Sequence, residues 1–296
     1  MTTRRTRGSG AGRVGVMDKH GRAERAAANA GAPTLEFAAR TPYDEYVGTE
    51  VLHDLQRTVT DAPEELAFLV TTQVMELYFG LLRAEWTLAR KLLDEDDVTG
   101  ATTVIVRSVR HFEALNAAWA ALGWMTPAQF NSFRDELGEA SGFQSAMYRH
   151  LEFLLGNKSE SLIRPHRRDP KVHRELLEAL RAPSLYDSAL ALLARRGFDI
   201  PVRHDLAAEY VPSPLVEAAW VRVYAEQGPG EELWALGEAL TDLSERFSDW
   251  RYRHLMAVRR SMGAKPGSGG SSGLSWLERS LRREVFPELW SARTAM

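Results

Sequence analysis

The sequence predicts an all-α fold, and three observations lead to this prediction. Apolar residues recur near helical spacing over several long segments. Prolines stand at the start of two of these segments, at Pro127 and Pro214, where the first turn of a helix tolerates them. Clear strand signals are absent from the sequence. We therefore expect helices packed around a buried core.

The first long helix is predicted over residues 63–93 and is expected to be largely buried. Its apolar positions recur at Leu66, Val70, Val74, Leu77, Leu81 and Leu88. Two more helices are predicted over residues 102–122 and 127–155, with the cap and first turn Met125-Thr-Pro127 between them. Because Ser141-Gly142 interrupts the last pattern, a kink or a close backbone approach is expected there.

Shorter helices follow over residues 171–180, 184–195 and 214–225. Residues 197–213 contain several prolines and are predicted to be a loop. A long helix is predicted over residues 231–260, and a final one begins near Trp276. The sequence contains no internal repeat.

The composition divides the chain into a tail and one domain. The chain has 296 residues, of which 44% are hydrophobic, enough for a sizeable core. Residues 1–33 are rich in Arg, Gly and Ala and have few large apolar side chains, so we expect a disordered tail. Residues 34–296 are predicted to form a single all-helical domain.

The charge and the absence of cysteine exclude several classes of protein. A net charge of -3 and a pI near 6.3 argue against a general nucleic-acid binder. We find no secretory signal and no apolar run expected to cross a bilayer, which predicts a cytoplasmic protein without membrane partners. With no cysteine, the protein has no disulfides, thiolate metal sites or Cys nucleophile.

His254 is the most informative residue for function. It lies on a helix rich in Trp, Tyr and Arg, and the glycine-dense residues 263–273 follow it. A neutral imidazole suits the axial position of a haem, and a flexible loop suits a cover over a ligand. The alternatives are a hydrogen-bonded core histidine and a simple linker.

Other pairs suggest a substrate site. Phe130 and Arg134 lie one helical turn apart and suit an aromatic ring with a carboxylate, although a surface Arg over a core Phe has the same spacing. Phe68 and Thr72 share a helix face, as a pocket wall or as core. The histidines form no zinc-hydrolase pattern, and neither a phosphate-binding loop nor a serine-hydrolase elbow is present.

Read together, these segments resemble the tryptophan 2,3-dioxygenase family from about Tyr43 to Thr294. The family's ordered motifs are matched by the following segments: Tyr43-Asp-Glu-Tyr46, Phe68-Leu-Val-Thr-Thr-Gln-Val-Met-Glu-Leu-Tyr-Phe79, Met125-Thr-Pro127, Phe130-Asn-Ser-Phe-Arg134, Ser141-Gly-Phe-Gln-Ser145, Trp250-Arg-Tyr-Arg-His254, the Gly/Ser loop and Phe286-Pro-Glu-Leu-Trp-Ser-Ala-Arg-Thr294.

The resemblance implies an all-α protein that binds haem b, active in the ferrous form with O2 as co-substrate, and that assembles as a homotetramer. It implies that His254 is the proximal iron ligand, with Trp250 beside it in the haem site. Phe68 and Phe130 would hold an indole, Arg134 its carboxylate, and Ser268 the amino-acid end. Tyr43 and Tyr46 would reach into a neighbouring subunit's pocket.

Two departures from the family pattern affect the predicted pocket. Thr72 stands where the family has its distal histidine; threonine is no base near neutral pH, but its hydroxyl can accept the indole N–H. Ser268 stands where the loop usually has Thr. Both changes enlarge the pocket and suggest a specialised natural-product-pathway relative.

Two hypotheses about function follow. In the first, the protein oxidises the indole ring of L-tryptophan or a substituted tryptophan such as β-methyltryptophan. Insertion of two oxygen atoms would give an N-formylkynurenine, and insertion of one a 2-oxindole. In the second, it is a catalytically silent haem-binding or tryptophan-sensing protein.

Overall fold

The computed structural model describes residues 17–296, and no strand occurs in this range. The all-α prediction is therefore confirmed for the described chain. The helices are α1 Lys19–Ala28, α2 Pro42–Val47, α3 Thr49–His53, α4 Pro63–Asp94, α5 Val98–Ala118, α6 Pro127–Arg134, α7 Ala146–Leu154, α8 Pro170–Arg181, α9 Leu185–Arg195, α10 Pro214–Glu226, α11 Glu232–Met262, α12 Leu274–Leu281 and α13 Pro287–Ala295.

The chain forms two compact units that divide between Arg57 and Thr58. This boundary lies later than the predicted start of the domain at residue 34. The described part of the first unit contains α1 to α3, none of which has a buried residue. Helix α1 falls within the segment predicted to be disordered, residues 1–33, and is capped by the Asp18 side chain. Residues 1–16 of that segment lie outside the described range.

The second unit is built on three long helices, α4, α5 and α11, which pack side by side. Trp86 of α4 contacts Phe112 of α5 edge-on, with ring centroids 5.9 Å apart, and Phe112 stacks on Phe247 of α11 at 6.2 Å. All three side chains are fully buried. Helices α7 and α9 pack on α4, and α13 packs on α10.

The prediction that α4 is largely buried was wrong, because only one face of the helix is buried. The buried positions are Glu65, Thr71, Met75, Phe79, Leu82, Trp86, Ala89 and Leu93. The apolar series used for the prediction lies largely on the opposite side: Leu66, Val70, Leu77, Leu81 and Leu88 are all exposed. Both faces of α4 are apolar, so periodicity alone could not tell which one meets the core.

Helix α4 is also the one described helix long and apolar enough to cross a membrane, judged by length and composition alone. This differs from the expectation that no segment of the chain is apolar enough to cross a bilayer. The buried face of α4 contacts α5, α7 and α9, as expected of a core helix in a folded domain.

The helix predicted over residues 127–155 is broken, as the Ser141-Gly142 interruption suggested. Helix α6 ends at Arg134, and two 3-10 turns, Asp135–Leu137 and Gly142–Gln144, precede α7. Ser141 and Ser145 each accept a backbone N–H through the side chain and so cap the following segments. Both α6 and α7 pack against α4.

Candidate functional site

A large apolar cavity lies inside the second unit. Its empty volume is about 1180 Å³, including the open mouth. Helices α4 and α11 supply much of its lining, and residues from α6, α7, α12 and the intervening turns supply the rest. The predicted site residues Phe68, Thr72, Phe130, Trp250 and His254 all line this one cavity.

His254 is held on the cavity wall between two indole rings. Its imidazole stacks on Trp119, with ring centroids 5.0 Å apart and planes 15° apart, and it meets Trp250 at 5.4 Å. Burial lowers the pKa of His254 to about 4, and the nearby Arg149 cation acts in the same direction. The imidazole is therefore neutral at pH 7, the form that can bind a metal.

The α4 wall carries the predicted substrate residues. The Thr72 hydroxyl donates to the Phe68 backbone carbonyl at 2.8 Å, so its proton is occupied while its oxygen can still accept. The Phe68 ring contacts Phe130 and Phe133, with centroids 5.9 and 5.5 Å away. Phe68 and Phe130 give the cavity an apolar lining near the Thr72 oxygen, which suits an indole with its N–H.

Three buried charged residues on the cavity wall were not assigned from the sequence. Arg149, Glu152 and Arg251 are only 2%, 4% and 4% exposed. Glu152 accepts hydrogen bonds from Arg149, from Arg251 at 3.3 Å and from Asn157 at 3.1 Å. Arg251 also donates to the Arg283 carbonyl at 2.7 Å. We call Arg149, Glu152 and Arg251 the charged triad.

The charged triad has two cations and one carboxylate, so it has a net positive charge. The Nε atoms of Arg149 and Arg251 are buried and have no hydrogen-bond partner within residues 17–296, and the same holds for the indole nitrogen of Trp250. An unpaired buried donor costs about 1–3 kcal/mol. An anionic ligand in the cavity would supply the missing acceptors.

Arg134 and Ser268 do not line the cavity wall. Arg134 donates to the Pro266 backbone carbonyl at 2.6 Å, and Ser268 donates to the Ala140 carbonyl at 2.7 Å. These two bonds join residues 263–273 to the segment at the end of α6. In this arrangement both side chains form hydrogen bonds that tether the loop, and neither lines the cavity.

Tyr43 and Tyr46 lie on α2 in the first unit. They are 67% and 85% exposed. Neither ring is buried within the described part of this unit.

Comparison with known proteins gives one consistent result. A family model described as tryptophan 2,3-dioxygenase matches residues 27–196 and 211–296. A protein of that name from Bradyrhizobium sp. strain BTAi1 is 42% identical over 265 residues, covering 88% of this chain and 95% of the relative. The one from Caulobacter vibrioides is 41% identical, covering 86% and 98%. The one from Pseudomonas fluorescens is 37% identical, covering 88% and 93%.

Proposed function

Because this chain belongs to the tryptophan 2,3-dioxygenase family, we propose that it is a haem-dependent oxygenase that uses O2 to open the indole ring of tryptophan or a substituted tryptophan. The observation that carries the proposal is the neutral His254, which lines the same large apolar cavity as Thr72 and Phe68. The product would be an N-formylkynurenine.

The residues of the cavity fit a haem. His254 would hold the iron through its neutral imidazole. The unpartnered N–H groups of Trp250, Arg149 and Arg251 are suited to the two propionates, and the net positive charge of the triad favours an anion. When bound in its ferrous form, haem b would supply the binding site for O2.

The protein's own contribution is to position the substrate in a dry pocket. Phe68 and Phe130 would hold the indole against their apolar surface, and the Thr72 oxygen would accept its N–H. Arg134 would take the carboxylate once it has released the Pro266 carbonyl, and Ser268 would meet the amino-acid end. Fixing two reactants in one geometry is a large share of such catalysis.

The Thr72 position supports a substituted substrate. Threonine is smaller than the family's histidine, so it leaves more space in the pocket. Its hydroxyl donates to the Phe68 carbonyl and cannot act as a base near neutral pH. We therefore include β-methyltryptophan as a candidate substrate, in a biosynthetic pathway for a natural product. For the same reason a single oxygen insertion to give a 2-oxindole is the second candidate reaction.

We further propose that the protein is a cytoplasmic homotetramer. The exposed apolar series of α4, Leu66 to Leu88, supports burial against a second copy, because monomers rarely leave such a stripe in water. Tyr43 and Tyr46 would reach a neighbouring subunit's pocket. Light scattering of the purified protein tests the tetramer, and Leu77→Glu should dissociate it.

Product masses under labelled O2 test the reaction. The haem-loaded, reduced protein is incubated with tryptophan and with β-methyltryptophan under 18O2. Two labelled atoms in a formylkynurenine support the dioxygenase. One labelled atom on an intact ring system supports the 2-oxindole reaction, and a substrate-induced spectral shift without product supports a silent tryptophan-binding protein.

A further inference from the structure

The His254 imidazole has an unusual environment for a metal-binding histidine. Such a histidine usually donates its second N–H to a carboxylate or a backbone carbonyl, which fixes the ring and makes it a stronger ligand. The His254 imidazole forms no hydrogen bond to any group among the described residues, 17–296. Its orientation must therefore come from another contact.

Trp119 supplies that contact. Its ring lies nearly parallel to the imidazole, 15° away, at a centroid distance of 5.0 Å. Trp250 meets both rings at steeper angles, 55° to His254 and 58° to Trp119. Among residues 17–296, Trp119 is the ring that lies flat on the imidazole, and Trp250 contacts both rings at a steeper angle.

Trp119 comes from a different element than the histidine. It opens the 3-10 turn Trp119–Ala121 at the end of α5, and this turn packs against α11. The position of the indole is therefore set by α5 and not by the helix that carries His254. The face of the Trp119 indole therefore limits rotation of the imidazole about its side-chain bonds.

We infer that Trp119 is the positioning residue of the axial histidine, and that its ring face takes the place of the usual hydrogen-bond acceptor. The inference rests on the proposed function, because it assumes that His254 binds the iron. A ligand held this way keeps its full N–H and gains no negative character. It is a weaker donor than an imidazole bonded to a carboxylate, which favours ferrous over ferric haem.

Two substitutions of Trp119 separate the ring face from the indole N–H. Trp119→Phe keeps a flat aromatic face and removes the N–H, whereas Trp119→Leu removes both. The Trp119 indole nitrogen is buried without a partner in the described residues, so its loss leaves no acceptor unpaired. Trp124→Leu, a change at a partly exposed Trp outside the cavity, is the matched control.

The readouts are the iron–histidine stretching band of the ferrous protein and the rate at which haem is lost to an acceptor protein. We expect Trp119→Phe and the control to behave like wild type. Trp119→Leu should broaden the band and speed haem loss by about two- to tenfold, the range that an aromatic pair is worth. The wild-type band should match a haem with a neutral imidazole, not a haem protein whose axial histidine donates to aspartate.

The outcomes are separable from the proposed function. If Trp119→Leu keeps the wild-type band and haem-loss rate while circular dichroism shows it folded, the inference is wrong. It is also wrong if Trp119→Phe behaves like Trp119→Leu, because the N–H would then be the working group. Should Trp119→Leu not fold, Trp119→Met gives the same comparison. If wild type shows no iron–histidine band at all, the proposed haem site itself fails.

Discussion

Removal of the Glu152 carboxylate should destabilise the protein far more than removal of an ordinary acidic residue. Glu152→Ala leaves two buried guanidinium groups, Arg149 and Arg251, without their shared counter-charge. Breaking a buried ion pair by removing one partner costs about 3–5 kcal/mol. In a domain of this size 1 kcal/mol shifts Tm by about 2–4 °C, so Tm should fall by roughly 6–20 °C.

The assay is thermal unfolding of the haem-free protein followed by circular dichroism. Glu226→Ala is the matched control, because Glu226 pairs with Arg222 at 2.9 Å with both side chains more than half exposed. An exposed pair of this kind is worth about 0.3–0.5 kcal/mol, so the control should lower Tm by no more than about 2 °C. Equal shifts for the two variants would refute the reasoning.

The remaining predictions concern acid stability, the loop and the substrate site. Burial lowers the pKa of His150 to about 4. The unfolded chain therefore binds this proton near pH 6.5 and the folded chain only near pH 4, so stability is lost as pH falls from 6.5 to 4. His150→Gln should flatten that loss in urea titrations at pH 7 and pH 5, and an unchanged slope would count against it. Gly273 and Gly270 both have a positive φ, +59° and +77°, but only at Gly273 would a Cβ lie 2.6 Å from the Lys265 carbonyl oxygen, so Gly273→Ala should make the loop more sensitive to protease than Gly270→Ala. Equal cleavage rates would contradict this. Arg134→Leu should weaken tryptophan binding in optical titrations at least tenfold without changing haem content, because a bidentate charged contact is lost. Unchanged affinity would remove Arg134 from the site. Thr72→His should reduce the turnover of β-methyltryptophan relative to tryptophan, because it refills the enlarged space, and an unchanged ratio would mean that Thr72 does not set the preference.

The sequence predicted the helices well where a single pattern determined them. The long helices α4 and α11 were predicted to within about two residues of their observed bounds. The predicted start of α5 at residue 102 was late, because the Asp97 cap before Val98 was not recognised. The buried face of α4 could not be predicted from the sequence, because both of its faces are apolar and only the packing of neighbouring helices determines which one is buried.

The functional site was likewise predictable only where local motifs determined it. The residues that line the cavity from α4, α6 and α11 were identified because they stand in an ordered series of motifs. The charged triad was missed, although Arg251 lies within the Trp250–His254 motif, because the sequence does not reveal that Arg251 of α11 and Arg149 of α7 share the Glu152 carboxylate. The Trp119 contact with His254 joins residues 135 positions apart and has no local signal in the sequence.

The most direct test of the account is the haem content and optical spectrum of wild type, His254→Gly and His204→Gly. We predict one haem per chain with an intense Soret band for wild type and for the His204 control, which is a change outside the cavity. His254→Gly should lose the bound haem or its axial-histidine spectrum, and added imidazole should restore the spectrum. If His254→Gly keeps the wild-type haem content and spectrum, His254 is not the iron ligand and the proposed site is wrong.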